Sequence, residues 1–297
     1  MGVSENMITN AHPDELCNEM QSLFDKVLVD APCSGEGMFK KYEKAMEDWS
    51  VEHVISCSKR QLHILDSAYL ALKENGILVY STCTYSIEEN EQVVYEFLKK
   101  YPDMELIDCN VTFGRIGFPY KDLDISKVRR ILPMDQGEGH FIAKMKKKGK
   151  GKISKCYVLK QQTLPEYVYD FLKKQVKDIP MYSYVSNDKI YLKSSPFIKL
   201  KKAKILRQGI YVGNMIKNRV EPHQHFYTVT SLIHNNACDL TKEECNAFLQ
   251  GNMINKKGYK GFVRLTYQGY PIGFGKGDGQ VIKNKYPKGL RLKGDSL

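Results

Sequence analysis

Apolar positions in the first half of the chain recur with two alternating periods. Val27, Leu28 and Val29 form a short unbroken run, the pattern of a strand covered on both faces in a parallel sheet. Leu62, Leu65, Tyr69 and Leu72 then repeat at three- and four-residue steps, which predicts a helix over 58–75 stopped by Asn75-Gly76. Ile77-Leu78-Val79-Tyr80 reads as a second buried strand. Ser86-Ile87-Glu88-Glu89 has the form of a capping box, opening a helix whose buried face is Ile87, Val94, Phe97 and Leu98. Strand, helix, strand and helix in this order describe a right-handed crossover between two parallel strands, an α/β arrangement. A short strand is expected at 6–10, a helix at 13–22, and further strands at 104–107, 128–132 and 140–145.

The pattern changes after residue 145. Lys144 to Lys155 holds seven lysines and no acid, the composition of a linker or exposed basic loop. A helix is expected over 164–176, short strands from Gly209, and a helix opened by the capping box Thr241-Lys242-Glu243-Glu244. The alternation of 261–267, the turn at Gln268-Gly269 and the return over 270–275 predict a hairpin.

The chain has 297 residues, 42% hydrophobic and 27% charged, enough for a sizeable core in two domains or one large one. No apolar run approaches the length of a membrane span, and Met1-Gly2-Val3-Ser4-Glu5-Asn6 lacks the form of a signal peptide. The eight cysteines contain no C-x-x-C pair, which argues against a zinc site and for free thiols in the cytoplasm, with no metal expected. The net charge of +11 divides unevenly: 14 basic against 24 acidic residues over 1–143 (−10), and 31 against 10 over 144–297 (+21). Such a basic half has the electrostatic footprint of a nucleic-acid binder. Residues 256–293 hold ten basic residues and one acid, interleaved with Tyr259, Phe262, Tyr267, Tyr270, Phe274 and Tyr286. Lys256, Lys257, Lys260, Lys283, Lys285, Lys288 and Arg291 are the candidate RNA contacts, with phosphate attraction and base stacking combined. The same rings also suit the core of a small barrel.

The two strands carry the candidate chemistry. Asp30 and Cys33 follow the first and Cys83 follows the second, so all three fall at the carboxyl ends, where open α/β sheets place ligands. Either cysteine alone is the kind of residue that is simply buried; the pair suggests one pocket. A thiolate that adds to C6 of a pyrimidine makes C5 nucleophilic. An acid at the N3/N4 edge stabilises the developing charge, and a second group assists the release that follows.

At these residues the sequence resembles the Nop/Sun family of RNA cytosine-C5 methyltransferases, most closely its RsmF-type branch. Asp30-Ala31-Pro32-Cys33-Ser34-Gly35-Glu36-Gly37-Met38 is similar to the family's fourth motif, and Ser81-Thr82-Cys83-Thr84-Tyr85-Ser86 to its sixth. The resemblance continues through Gly137-Glu138-Gly139-His140-Phe141, Lys217-Asn218-Arg219-Val220-Glu221-Pro222 and Asn284-Lys285-Tyr286-Pro287-Lys288-Gly289-Leu290-Arg291. It implies a partial Rossmann-like class I methyltransferase sheet over 1–145, a basic linker over 146–155, an intermediate segment over 156–206 and an α+β, β-rich PUA-like RNA-binding domain over 207–297. It also implies that Cys83 is the nucleophile, that Cys33 assists release, and that Asp30 contacts the cytosine and the edge of the S-adenosyl-L-methionine site. The substrate it implies is RNA, ribosomal in preference to transfer RNA. The family's DNA relatives use a Pro-Cys thiol as nucleophile, so exchanged roles are the alternative assignment.

The departure is at the front. The resemblance places Gly2 to Asn10 at the third strand of the methyltransferase sheet, with the Gly-rich cofactor motif, the ribose-binding acid and a catalytic lysine upstream of it. His12 receives no role. The expectation is a fragment, or a chain completed by another polypeptide, that binds S-adenosyl-L-methionine weakly or not at all when isolated. A non-catalytic RNA-binding protein retaining the PUA-like half is the alternative from another class. A thiol-redox protein is a third, disfavoured by the 50 residues between the cysteines.

Overall fold

The computed structural model describes residues 2–41, 46–149 and 156–294. The chain divides into two compact units, one of Ala11–Cys156 with Lys201–Ala203, the other of Met1–Asn10, Tyr157–Leu200 and Lys204–Leu297. Strand β1 (Met7–Asn10) belongs to the second unit. The first runs through helix α1 (Pro13–Glu19), strand β2 (Phe24–Asp30), helix α2 (Val51–Ala71), strand β3 (Leu72–Thr82), helix α3 (Glu91–Lys100) and strands β4 (Met104–Ile107), β5 (Arg129–Ile131) and β6 (His140–Lys147).

Its sheet has the order β2-β3-β6-β4, with β5 also paired to β6. Only β2 and β3 are parallel, in the register Val27–Leu78, Val29–Tyr80 and Asp30–Ser81; β6 runs antiparallel to β3, β4 and β5. Leu65, Ala68 and Leu72 from α2 and its end, and Val93, Val94 and Phe97 from α3, bury against Val29, Leu78, Tyr80, Phe141 and Met145 of the sheet. Each large side chain so buried contributes roughly 1.5–3 kcal/mol.

Three expectations are corrected here. Helix α2 begins at Val51, because the Ser50 side chain accepts from His53 N at 3.1 Å, and it ends at Ala71, where Leu72 turns extended. The helix predicted from residue 58 therefore starts a turn and more too late. Leu28 is 68% exposed, since β2 is an edge strand covered on one face among the described residues. The Ser86–Glu89 capping box does not form: Ser86 Oγ donates to Glu88 Oε2 at 2.8 Å, while Glu89 is fully buried and turned inward.

In the second unit, α4 (Glu166–Gln175), β7 (Tyr182–Ser186), β8 (Lys189–Lys193), β9 (Lys204–Gln208), β10 (Ile210–Ile216), β11 (Arg219–Pro222) and α5 (Gln224–Thr228) precede β12 (Ala237–Leu240), α6 (Lys242–Gln250), β13 (Lys260–Tyr267), β14 (Tyr270–Asp278) and β15 (Ile282–Asn284). Two four-stranded sheets, β11-β10-β8-β7 and β12-β13-β14-β15, have their own cores. The first core includes Val168, Leu172, Ile190, Val212, Phe226 and Tyr227; the second, Cys238, Phe248, Val263 and Leu265. Residue 207 lies within β9.

Strand β1 is antiparallel to β9, with Met7 opposite Gln208 and Asn10 opposite Lys204, not beside the sheet containing β2. Two short strands whose backbone groups need partners satisfy each other. Gly209 N→Asn6 O at 2.8 Å and Ser194 N→Glu5 Oε1 at 2.7 Å extend the attachment. The Thr241/Glu244 capping box forms. So does the hairpin, with Gln268 and Gly269 both at positive φ (52° and 79°), as a tight two-residue turn requires. Residues 150–155 of the basic linker lie outside the described residues. No helix of the described residues is long and apolar enough to cross a membrane.

Candidate active site

The parallel register of β2 and β3 brings Asp30, Cys33 and Cys83 to one end of the first unit's sheet. Asp30 is exposed, and Ser81 Oγ donates to its Oδ1 at 3.2 Å. Beyond the strands the two loops bond to each other: Ala31 N→Ser81 O at 2.9 Å and Gly37 N→Cys83 O at 2.9 Å. The two thiol sulfurs lie 3.2 Å apart, and Cys83 N donates to Cys33 Sγ at 3.4 Å. Gly37 makes this approach possible, because a Cβ there would meet Glu138 O and Gly139 O at 2.6 Å and Cys83 O at 2.9 Å.

Two thiols at this separation cannot ionise independently. The Cys33 S–H stabilises a Cys83 thiolate and holds the Cys83 thiol down, to about 7, against burial and the charge of Asp30, which both push it up. Cys33 is pushed far up, first by its bond to Cys83 and then by burial. The bond between the sulfurs holds the Cys83 thiol down, and the thiolate is the nucleophilic form.

Buried polar residues given no part in the site by the sequence pattern hold this geometry. Glu89, Asn90 and Glu91 are consecutive and fully buried, and each fixes a different segment. Glu89 accepts from Ser34 N at 3.0 Å and from Gln61 Nε2 at 2.7 Å, while the same Gln61 nitrogen donates to Pro32 O at 3.0 Å. Asn90 Nδ2 donates to Thr84 O at 3.0 Å, and Thr82 Oγ1 donates to Asn90 Oδ1 at 2.5 Å. Glu91 accepts from Arg130 Nε at 2.7 Å and from Phe118 N at 2.8 Å, and a second bond joins its Oε2 to Arg130 Nη2. Arg130, also buried, donates Nη1 to Tyr85 O at 2.9 Å. Glu36 ties the loops from outside, accepting from Trp49 Nε1, Thr84 Oγ1 and Tyr85 N at 2.8–3.0 Å. The available sequence signal was the run of three hydrogen-bonding side chains leading into an otherwise buried helix.

The candidate RNA contacts all lie in the second unit. Lys257, Lys260 and Lys288 are exposed. Lys256 is paired with Glu244 at 2.7 Å, and Lys283 with Asp278 at 3.6 Å. Arg291 packs against Gly251, where a Cβ would sit 2.6 Å from its guanidinium carbon. Lys285 lines a cleft together with Arg219. Arg264, within the same basic run, is buried and donates to Leu232 O and Val229 O at 2.5 and 2.7 Å, a structural task.

Comparison with known proteins covers most of the chain in three segments. A family model described as 16S rRNA methyltransferase RsmB/F matches residues 1–146. One described as RsmF rRNA methyltransferase first C-terminal domain matches 170–228, and one described as methyltransferase RsmF PUA domain matches 235–292. Among curated proteins, ribosomal RNA small subunit methyltransferase F of Psychromonas ingrahamii is 32% identical over 294 residues, covering 90% of this chain and 59% of that protein. Its counterpart in Vibrio cholerae serotype O1 (strain M66-2) is 30% identical over 287 residues, with the same two shares, 90% and 59%. That of Shewanella piezotolerans is 29% identical over 315 residues, covering 98% of this chain and 64% of that protein. The chain thus spans about three fifths of the length of these relatives.

Proposed function

The chain belongs to the RsmB/F family of methyltransferases, in its RsmF-type branch, and from this premise we propose that it methylates C5 of a cytosine in ribosomal RNA through a covalent Cys83–C6 adduct. The observation that carries the reading is the 3.2 Å thiol pair at the ends of two parallel strands, close enough for one sulfur to stabilise the thiolate of the other.

The Cys83 thiolate donates an electron pair to C6, forming the S–C6 bond and moving the C5–C6 π electrons onto C5 and the N3 edge. Asp30, exposed at the same sheet end, holds the N3/N4 edge and stabilises the charge arriving there. S-adenosyl-L-methionine, when bound, supplies the electrophilic methyl group. Ser81 engages Asp30 through Oδ1, so the other carboxylate oxygen fits a donor on the base or on the cofactor. Release requires loss of the C5 proton, return of that electron pair to the C5–C6 bond and departure of Cys83 as thiolate. Cys33 assists that step. Its ionisation is opposed chiefly by the Cys83 thiolate beside it, and that opposition ends once the Cys83 sulfur is bonded to carbon.

The test separates the two thiols. With the RNA substrate and cofactor supplied, Cys33→Ala should accumulate a covalent protein–RNA adduct that survives denaturing electrophoresis. Cys83→Ala should form none. The reverse pattern would exchange the roles; adducts from neither, in a preparation that calorimetry shows to bind the cofactor, would reject covalent catalysis in favour of RNA binding alone.

A further inference from the structure

A cleft of about 870 Å³ in the second unit is walled by α4, β11, the start of α5 and the β13–β15 sheet. It is distant in kind from the thiol site: its chemistry is charge and flat rings. Lys174, Arg219, Lys276 and Lys285 converge on it from four different elements, against the two carboxylates Asp170 and Glu221. None of the four cations is held in a salt bridge among the described residues, unlike the neighbouring Lys256 and Lys283. Four cations against two carboxylates leave the concavity with a net positive charge, which attracts a polyanion.

The floor supplies rings. Tyr167, Phe171 and Phe262 line the cleft and are half-buried; Phe171 and Phe262 are 6.2 Å apart and nearly perpendicular, and Lys276 Nζ stands 5.7 Å from the Phe262 ring centre. Rings flanked by cations form a surface on which unstacked bases rest while their phosphates are neutralised. Gln224 adds one directional group. Its Nε2 donates to Ile272 O at 2.8 Å, while its Oε1 is buried without a partner. An unpaired buried acceptor lining a cleft suits an N–H on a base edge.

We propose that this cleft is a binding site for unpaired nucleotides of a single-stranded RNA segment, with Arg219, Lys276 and Lys285 on phosphates and the Tyr167–Phe171–Phe262 surface under a base. A duplex, whose bases are stacked inward, cannot offer a ring to the floor. The inference rests on the RNA reading above and locates where the basic half grips its substrate.

The test is fluorescence-anisotropy titration of the whole protein with a labelled, unstructured single-stranded oligoribonucleotide across a range of salt concentrations. Arg219→Ala combined with Lys285→Ala should weaken binding roughly ten-fold or more at low salt and make the log–log salt slope shallower by about 1.4, about 0.7 for each lost phosphate contact. Arg219→Lys with Lys285→Arg should restore the slope. Lys204→Ala combined with Lys242→Ala, which removes the same charge from exposed positions outside the cleft lining, should leave the slope near that of the parent protein. Equal losses in both double variants, or an unchanged slope in the cleft variant, would overturn the site while leaving RNA binding intact. Competition by duplex RNA or by polyglutamate as strong as by the single strand would also overturn it, in favour of a backbone-only or an acidic-protein surface. No binding of any RNA by the parent protein would instead defeat the underlying RNA reading.

Discussion

Cys33 and Cys83 show how a single contact divides two chemically identical side chains. Their bond pushes the Cys33 thiol up and holds the Cys83 thiol down. The sign follows directly: a lowered thiol pKa means that Cys83 is reactive above about 7 and loses reactivity as pH falls through that value, whereas an ordinary thiol does so near ~8.5. Iodoacetamide labelling of Cys83, followed by mass spectrometry across pH, should show this midpoint. In Cys33→Ala the donor is gone, and the midpoint should move up towards the ordinary thiol range. A midpoint unmoved by Cys33→Ala would reject the hydrogen bond as the cause. Both cysteines were legible from their places after predicted strands. The roles proposed for them come from the family resemblance, and their 3.2 Å approach is not encoded at any one position.

At the scale of elements, the entry into α3 does what neither strand could do alone. Glu89 holds the Pro32–Ser34 loop, Asn90 holds Thr82 and Thr84, and Glu91 with Arg130 anchors Tyr85. Three buried polar residues in succession are costly unless every one is paired; here Glu89 and Asn90 reach Ser34 N and Thr84 O in the two cysteine loops, while Glu91 takes Phe118 N and the Arg130 guanidinium. The Glu91–Arg130 pair is almost wholly enclosed, at 0% and 1% side-chain exposure. Removing one member leaves a buried charge, so Glu91→Ala should cost about 3–5 kcal/mol in urea unfolding. Replacing both, as Glu91→Leu with Arg130→Met, should recover much of that loss, and failure to recover would show that the pair's bonds to Phe118 N and Tyr85 O matter more than its charges. The sequence reading assigned Glu89 to a capping box with Ser86. That local motif was outcompeted because Ser34 N and Gln61, 55 and 28 residues away, offer Glu89 partners inside the fold.

Across the whole molecule, charge is the most asymmetric property: −10 over 1–143 and +21 over 144–297. Part of the excess is spent internally, on Glu244, on Asp278 and on the carbonyls that Arg264 binds. RNA affinity of the parent protein should still fall steeply with salt, with a log–log slope of roughly −0.7 per phosphate contacted. A flat dependence in the same titration would mean that the basic half does not meet a polyanion through its charge.

Local pattern along the chain is enough to place the parallel strand pair, the motif residues at its carboxyl end, the hairpin at 268–269 and the basic character of the second half. These rest on local periodicity, turn chemistry and composition, which neighbours along the chain suffice to express. Folding alone sets the pairing of β1 with β9, the exposure of Leu28 on one face of β2, the lysines left outside salt bridges and the approach of the two sulfurs to 3.2 Å. Each of these depends on a partner many residues away, and the free energy of a hydrogen bond, a salt bridge or a shared proton exists only when folding has brought that partner within a few ångströms.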